Sequence, residues 1–180
     1  LLSSCGLGML FAGHPDDAVS VLEQGMTMCV ADAVTIFENG VTLRIPDDDG
    51  GWFHSATALA AVHAIHGRLS VARRVLDEID AADPPLAWRV DIYGIMEQVA
   101  RAHIAIAAGD LALASERIES VAHHLGSTEL WPFIVHAQSM VALHSGRTAD
   151  ALVILSHALG RNVNSTTSEY AMRLIWAARA

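Results

Sequence analysis

The sequence predicts an all-α fold made of antiparallel α-hairpins, and one recurring spacing is the main observation behind this prediction. Four glycines each end a stretch of helical apolar periodicity. Seven residues before each glycine stands a small residue, five after it stands Ala, and nine after it stands a large aliphatic residue. Glycine closes a helix by adopting a positive φ angle, and small residues let the two helices of a hairpin pack closely. The four sets are Gly6, Gly13, Ala18 and Leu22; Ala60, Gly67, Ala72 and Leu76; Ala102, Gly109, Ala114 and Ile118; and Ser139, Gly146, Ala151 and Leu155.

The periodic stretches and the turn residues between them define the elements in order. Asp110 and Thr148 are predicted N-caps, and Pro15–Asp17 suits the first turn of a helix. The strand candidate Val41–Ile45 is short, and the acidic run Pro46–Gly51 predicts a loop. We expect helices near residues 1–12, 15–28, 30–39, 53–66, 69–80, 88–108, 110–125, 131–145, 148–160 and 167–179.

Composition predicts one helical-repeat domain over residues 1–180 and excludes several function classes. Of the 180 residues, 52% are hydrophobic, which suits a packed core and argues against disorder. The chain has 20 acidic and 11 basic residues, a net charge of −9, so we expect no direct nucleic-acid contact. Every basic residue is Arg, and the absence of Lys excludes a phosphate-binding loop and a Schiff-base lysine.

Three further features concern cellular context. No apolar run approaches the ~18 residues that a membrane-spanning helix needs, so we expect no membrane partner. The two cysteines, Cys5 and Cys29, are too few for a disulfide scaffold, which favours a reduced, cytoplasmic setting. The sequence begins at Leu1 without Met and ends inside an apolar-periodic stretch, so we expect a fragment of a longer protein.

The Gly-x4-Ala-x3-aliphatic register resembles tetratricopeptide repeats, and Pro84 stands where that family often has a proline. The usual tyrosine position is occupied by Met9, His63, Ala105 and Ala142 instead. Two stretches, Ala107–Ala112 and Glu129–Phe133, resemble the repeat arm of MalT-like, LuxR-family transcription regulators. These likenesses imply hairpins stacked into a right-handed superhelix. They also imply an NTPase before this arm and a DNA-binding helix-turn-helix after it, neither of which this sequence contains.

Ten histidines raise the question of a metal or catalytic site. His63 and His66 are three residues apart, but the sequence has no His-Glu-x-x-His. It also has no Gly-x-Ser-x-Gly elbow, and the acidic run lacks the spacing of a calcium loop. We therefore expect a non-enzyme without catalytic residues, metal ligands or cofactors. His63 is expected at the edge of the core and His66 at a helix C-terminus.

A candidate binding groove follows from the curvature of stacked hairpins, whose first helices line a concave surface. Positions thirteen, ten, six and two residues before the loop glycine share one face of each first helix. This face carries no formal charge, and it predicts a groove for a peptide segment or a small apolar ligand. The alternative is a face buried under another domain or further repeats. The candidate groove residues are His54, Met96, His103, Phe133, His136, Met140 and His144.

The leading functional hypothesis is a non-catalytic module that senses a ligand or partner within a LuxR-family transcription regulator. A small-molecule inducer, or a peptide or protein partner, would occupy the groove and shift the arm between arrangements. The alternative is a general tetratricopeptide-like scaffold for protein–protein contact. A third hypothesis is an all-α enzyme that uses the histidines. The inducer, the regulated genes and the oligomeric state do not follow from the sequence.

Overall fold

The computed structural model describes residues 2–31, 35–38, 41–44, 51–84, 86–90, 92–126, 130–159 and 177–178. In these ranges the regular structure is helical apart from one short antiparallel pair of strands, so the all-α prediction is confirmed at the level of fold class. The elements are α1 (Leu2–Phe11), α2 (Pro15–Ala31), β1 (Thr35–Glu38), β2 (Val41–Arg44), α3 (Gly51–Ile65), α4 (Leu69–Ala82), α5 (Leu86–Val90), α6 (Ile92–Ala108), α7 (Leu111–Val121), a 3₁₀ helix (Ala122–Gly126), α8 (Trp131–His144) and α9 (Thr148–Leu159).

Four α-hairpins form at the predicted glycines: the first is α1–α2, the second α3–α4, the third α6–α7 and the fourth α8–α9. All four loop glycines have φ between 73° and 87°. In the second hairpin, the Gly67 N–H donates to the Ala64 carbonyl at 3.0 Å and the Arg68 N–H donates to the His63 carbonyl at 2.8 Å. The same two bonds recur in the other hairpins, so each first helix ends in a Schellman turn.

The residue after each loop glycine also begins the second helix. The carbonyl of Asp110 accepts from the Ala114 N–H at 3.0 Å, and its Oδ1 accepts from the Leu113 N–H at 3.0 Å. The predicted N-cap at Asp110 is therefore confirmed. The predicted N-cap at Thr148 is wrong, because the Arg147 carbonyl makes the equivalent bond and α9 starts at Thr148 itself. The tight turn leaves only one residue between glycine and helix.

The packing positions of the four-fold pattern are buried as predicted. The alanines five residues after the glycines are completely buried, and the aliphatic residues nine after are at most 4% exposed. Ala60, Ala102 and Ser139, seven residues before their glycines, are also completely buried. A Cβ at Gly6 would come within 2.7 Å of the Leu22 side chain, so even alanine at this position would require the Leu22 side chain to shift.

The hairpins pack in chain order, and this order places the first helices in the interior. Helix α3 contacts α1 and α2 of the preceding hairpin, and α6 contacts α3 and α4. In the same way α8 contacts α6 and α7. One apolar cluster runs from Leu10 of α1 through Phe53 of α3 and Ile95 of α6 to Phe133 of α8. Helices α3, α6 and α8 are therefore each enclosed on several sides.

Two element predictions are wrong. The helix expected near 30–39 is instead the end of α2 followed by β1, which pairs with β2 so that Thr35 lies opposite Arg44. The single helix expected near 88–108 is divided into α5 and α6. A Cβ at Gly94 would clash with the Arg89 carbonyl oxygen, so glycine permits the close approach of these two helices. Of the loop predicted at 46–51, Gly51 instead begins α3 and the other residues lie outside the described ranges. The helix predicted near 167–179 also lies outside them, apart from helical residues 177–178.

Candidate functional site

The candidate groove residues do not share one open surface. Met96 on α6 is 1% exposed, and Phe133 on α8 is 0% exposed. Both side chains belong to the apolar cluster that joins the hairpins. In this conformation they fill the core and present no surface to a ligand. The physical reason is that α6 and α8 are each packed against both helices of the preceding hairpin.

His103 and His136 come together, as their positions on neighbouring first helices predicted. Their ring centroids are 5.2 Å apart and the ring planes are inclined by 28°, which is a stacked arrangement between α6 and α8. Both side chains are buried. Nε2 of His103 and Nδ1 of His136 have no hydrogen-bond partner among the described residues. The pair is therefore a polar contact inside an otherwise apolar interface.

Burial keeps this histidine pair neutral. Desolvation lowers the pKa of His103 to about 3, helped by the nearby rings of His136 and His144. Desolvation also lowers the pKa of His136 to about 4. Both values lie well below the ordinary 6.5, since protonation would place a charge inside the interface. At neutral pH each ring can donate one hydrogen bond and accept one.

The other three candidate groove residues lie nearer the surface. His54 near the start of α3 and Met140 on α8 are half-buried, whereas His144 at the end of α8 is exposed. Met140 packs against a small apolar cluster that includes Ala105 of α6. The seven residues are therefore divided between the core, a buried pair and the outer ends of the first helices.

His63 and His66 follow the sequence expectation in position. His63 is buried within α3, and burial, followed by the charge of Arg68, lowers its pKa. His66 lies in the turn after α3, where burial and Arg68 lower its pKa although Asp16 acts in the opposite direction. Its Nδ1 lies 2.9 Å from an Nη of Arg68. Within the described ranges, no cluster of three or more His, Cys, Asp or Glu side chains could hold a metal.

An ion network that the sequence analysis missed joins α4, α5 and α6. Glu97 is completely buried, and its Oε1 accepts from Arg89 at 2.8 Å and from Arg101 at 2.9 Å. Asp80 accepts from the same two guanidiniums at 3.2 Å and 2.7 Å. Burial by itself would raise the pKa of the Asp80 carboxyl, but Arg101 and Arg89 outweigh it and the pKa is lowered. The Glu97–Arg101 pair, four residues apart on one helix, is the only part visible in sequence.

A cleft of about 270 Å³ opens between α4, α6 and α7, and we call it the arginine cleft. Leu76, Ile104 and Leu113 supply much of its apolar lining. Its charged residues are Arg73, Asp77, Arg101, Asp110 and Arg117. Arg101 is paired with Asp80 and Glu97, so the remaining charges of the cleft are the guanidiniums of Arg73 and Arg117 and the carboxylates of Asp77 and Asp110.

A second cleft of about 290 Å³ lies one hairpin further along, between α7, α8 and α9, and we call it the sister cleft. Its apolar lining includes Ile118, Val141 and Ile154. Its charged residues are Glu119 and Arg147, and Arg147 also pairs with Asp150 at 3.5 Å. The guanidinium that lines the sister cleft therefore already has an acidic partner, unlike Arg73 and Arg117 of the arginine cleft.

Comparison with known proteins gives no match. No protein-family model, no curated protein and no solved structure matches this chain. Among the described helices, none is long and apolar enough to cross a membrane.

Proposed function

We propose that this chain is a non-catalytic helical-repeat module that senses a ligand or partner within a LuxR-family, MalT-like transcription regulator. The observation that carries the proposal is the recurrence of one hairpin, with the same Schellman turn and the same buried alanine, four times along the chain. Stacked repeats of this kind present extended surfaces that bind peptides and small molecules. We further propose that the hairpins form a right-handed, tetratricopeptide-like superhelix.

The two stretches that resemble the regulator arm lie at structurally defined places. Ala107–Ala112 spans the turn of the third hairpin, where Asp110 caps α7. Helix α8 begins with Trp131 and Pro132. Proline suits the first turn of a helix because the backbone N–H that it lacks would have no acceptor within the helix there. These features support the proposed likeness at the two positions that carry it.

The proposed mechanism is a population shift at an interface between hairpins. The third and fourth hairpins meet through α6 and α8, where two neutral histidines replace apolar side chains. Polar groups without partners make such an interface less stable than a fully apolar one. A ligand or partner that favours one packing of the hairpins would move the whole arm toward it. That movement would be the signal passed to an adjoining NTPase.

A protein–protein scaffold is the second candidate, and exposed apolar residues on the fourth hairpin favour it. Leu152 and Val153 of α9 are 44% and 68% exposed. In the scaffold hypothesis, these two side chains would form part of a larger apolar contact with another protein. In this case the module would hold a partner without sensing a small molecule.

The parent reading frame distinguishes the two candidates. The regulator proposal predicts a phosphate-binding loop encoded upstream of Leu1 and a basic helix-turn-helix encoded downstream of Ala180. Sequencing the gene on both sides is the test. If both are present, binding of the complete protein to DNA should respond to an inducer. A parent gene that encodes neither domain would contradict the regulator proposal and favour the scaffold.

A further inference from the structure

The arginine cleft and the sister cleft occupy the same place in successive repeats. Counted from the loop glycines, both are lined by residues six, nine and ten positions after the glycine of the preceding hairpin. Both are also lined by residues eight, five and four positions before the next glycine, and one and eight after it. Each cleft is therefore a product of stacking one hairpin on the next, and the two can be compared residue by residue.

The apolar lining is retained between the clefts. Leu76 corresponds to Ile118, and Ile104 corresponds to Val141. An acidic residue also recurs, because Asp77 corresponds to Glu119. The shared apolar residues are the ones that hairpin stacking needs, since they cover the gap between neighbouring second helices with apolar surface.

The arginines are not retained. Arg101 has a structural explanation, because it binds buried Glu97 and also Asp80. Arg73 and Arg117 have none, since their guanidiniums make no ion pair or hydrogen bond within the described part of the chain. The sister cleft shows that the fold does not require arginine at these places. The corresponding pairs are Arg73 and Ser115, Arg101 and Gln138, and Arg117 and Ile154.

We propose that the arginine cleft binds a small organic oxyanion, a carboxylate or a phosphate monoester, that carries an apolar group. Arg73 and Arg117 bind the anionic group, because the planar guanidinium fork matches carboxylate and phosphate oxygens. The apolar group lies on Leu76, Ile104 and Leu113. The inference deepens the proposed function and rests on it for a biological role, since it gives the sensed ligand a chemical class and a place.

Two guanidiniums without an ion pair among the described residues, those of Arg73 and Arg117, support an anion over a cation or a neutral ligand. The chain as a whole is acidic, at −9, so two unpaired guanidiniums beside one cleft are a local feature. One of the two acids, Asp110, is already engaged as the N-cap of α7. Arg101 adds no free positive charge, because it is paired with Asp80 at 2.7 Å and with Glu97 at 2.9 Å.

The test is a calorimetric titration of the full chain with four probes: benzoate, phenyl phosphate, neutral benzamide and inorganic phosphate. We expect saturable binding of benzoate or phenyl phosphate at millimolar concentrations or below. Benzamide, which lacks the charge, and inorganic phosphate, which lacks the apolar group, should bind at least about tenfold more weakly.

The matched variant is Arg73→Ser with Arg117→Ile. It places the residue types of the sister cleft at the two corresponding positions of the arginine cleft. These residues occupy the same positions in the sister cleft, so the variant should fold, which circular dichroism checks. We expect its affinity for the binding probe to fall at least about tenfold. The control Arg147→Gln alters the sister cleft instead, and it should leave the affinity unchanged.

Three results would overturn the proposal: no saturable binding of either organic anion, equal binding by the double variant, or an equal loss in Arg147→Gln. Failure of this proposal is distinguishable from failure of the proposed function. If the parent gene encodes both regulator domains but the chain binds no anion, only the proposal of an anion site in the arginine cleft is overturned. Anion binding by a chain whose parent gene encodes neither domain would overturn only the regulator assignment.

Discussion

The interface between the second and third hairpins differs from the interface between the third and fourth mainly in its polar groups. Both have the same turn, the same buried alanine and the same apolar lining beneath a cleft. The earlier interface contains an ion network centred on Glu97, whereas the later one contains the neutral pair His103 and His136. The repeat pattern therefore fixes the apolar frame, and each interface carries its own polar chemistry within it.

Acid should break the later interface, and this is the largest effect that we expect. The folded-state pKa values of His103 and His136, about 3 and about 4, lie below the ordinary 6.5. At pH values between the folded-state pKa values and 6.5, these two histidines bind protons in the unfolded chain but not in the folded chain. The free energy of unfolding therefore falls as the pH falls below 6.5. At pH 5 the loss should be about 2 kcal/mol for each histidine. Urea unfolding at pH 7.5 and pH 5 measures it.

Two variants assign this pH dependence to the pair. His136→Phe removes one titrating ring and keeps an aromatic contact with His103, so it should reduce the difference in unfolding free energy between the two pH values. His157→Phe changes an exposed histidine on α9 and should leave that difference as in the wild type. If His136→Phe keeps the full difference, the buried pair does not cause it.

Arg101→Gln should break the earlier interface. Glutamine stands at the equivalent position of the sister cleft, as Gln138. At position 101 it would leave the buried Glu97 carboxylate with Arg89 as its only cationic partner among the described residues. Removing one partner of a buried ion pair costs about 3 kcal/mol, because the remaining charge stays in a poorly solvated place. Chemical denaturation at pH 7.5 measures the loss. An unchanged midpoint would mean that the network does not hold α4, α5 and α6 together.

Overpacking the shared apolar frame should have a smaller effect. Ala114 is completely buried between α6 and α7, so Ala114→Leu should destabilise the chain by about 1–3 kcal/mol. Ala112 lies on the exposed side of the same helix, and Ala112→Leu is the matched control. Thermal unfolding of the two variants compares them. Equal melting temperatures would contradict the assignment of Ala114 as a packing position.

Arg73→Ser and Arg117→Ile should have the smallest effect on stability. Neither guanidinium has a partner within the described residues, so each change should alter the free energy of unfolding by no more than about 0.5 kcal/mol. Chemical denaturation of these variants and of Arg101→Gln compares arginines that have a structural role with arginines that have none. A large loss in either variant would show that the cleft arginines hold the fold.

The sequence predicted the hairpins better than the groove, and the reason is physical. A Gly at a positive φ angle and an Ala at a close helix contact are requirements of local geometry, so their spacing is visible in the sequence. The choice of an exposed face on a first helix depends on what packs around it. Residues 132–137 of α8 are all buried, so helical periodicity alone could not separate a groove face from a core face.

Two other differences have distinct causes. The strands β1 and β2 are separated by Asn39-Gly40, a dipeptide typical of hairpin turns, which the helical reading of 30–39 overlooked. The ion network could not be found in advance, since Asp80, Arg89 and Glu97 lie on three different helices. Only their packing brings Asp80 and Glu97 to the same two guanidiniums.

Hydrogen–deuterium exchange with and without phenyl phosphate tests most directly whether two clefts of the same frame differ in function. We expect slower exchange on ligand addition in peptides from α4, α6 and α7 around the arginine cleft, with little change in α9 beside the sister cleft. The Arg73→Ser, Arg117→Ile variant should lose this protection, and Arg147→Gln should keep it. Equal protection at both clefts, or protection that survives in the double variant, would contradict the claim that the arginines give one cleft a ligand of its own.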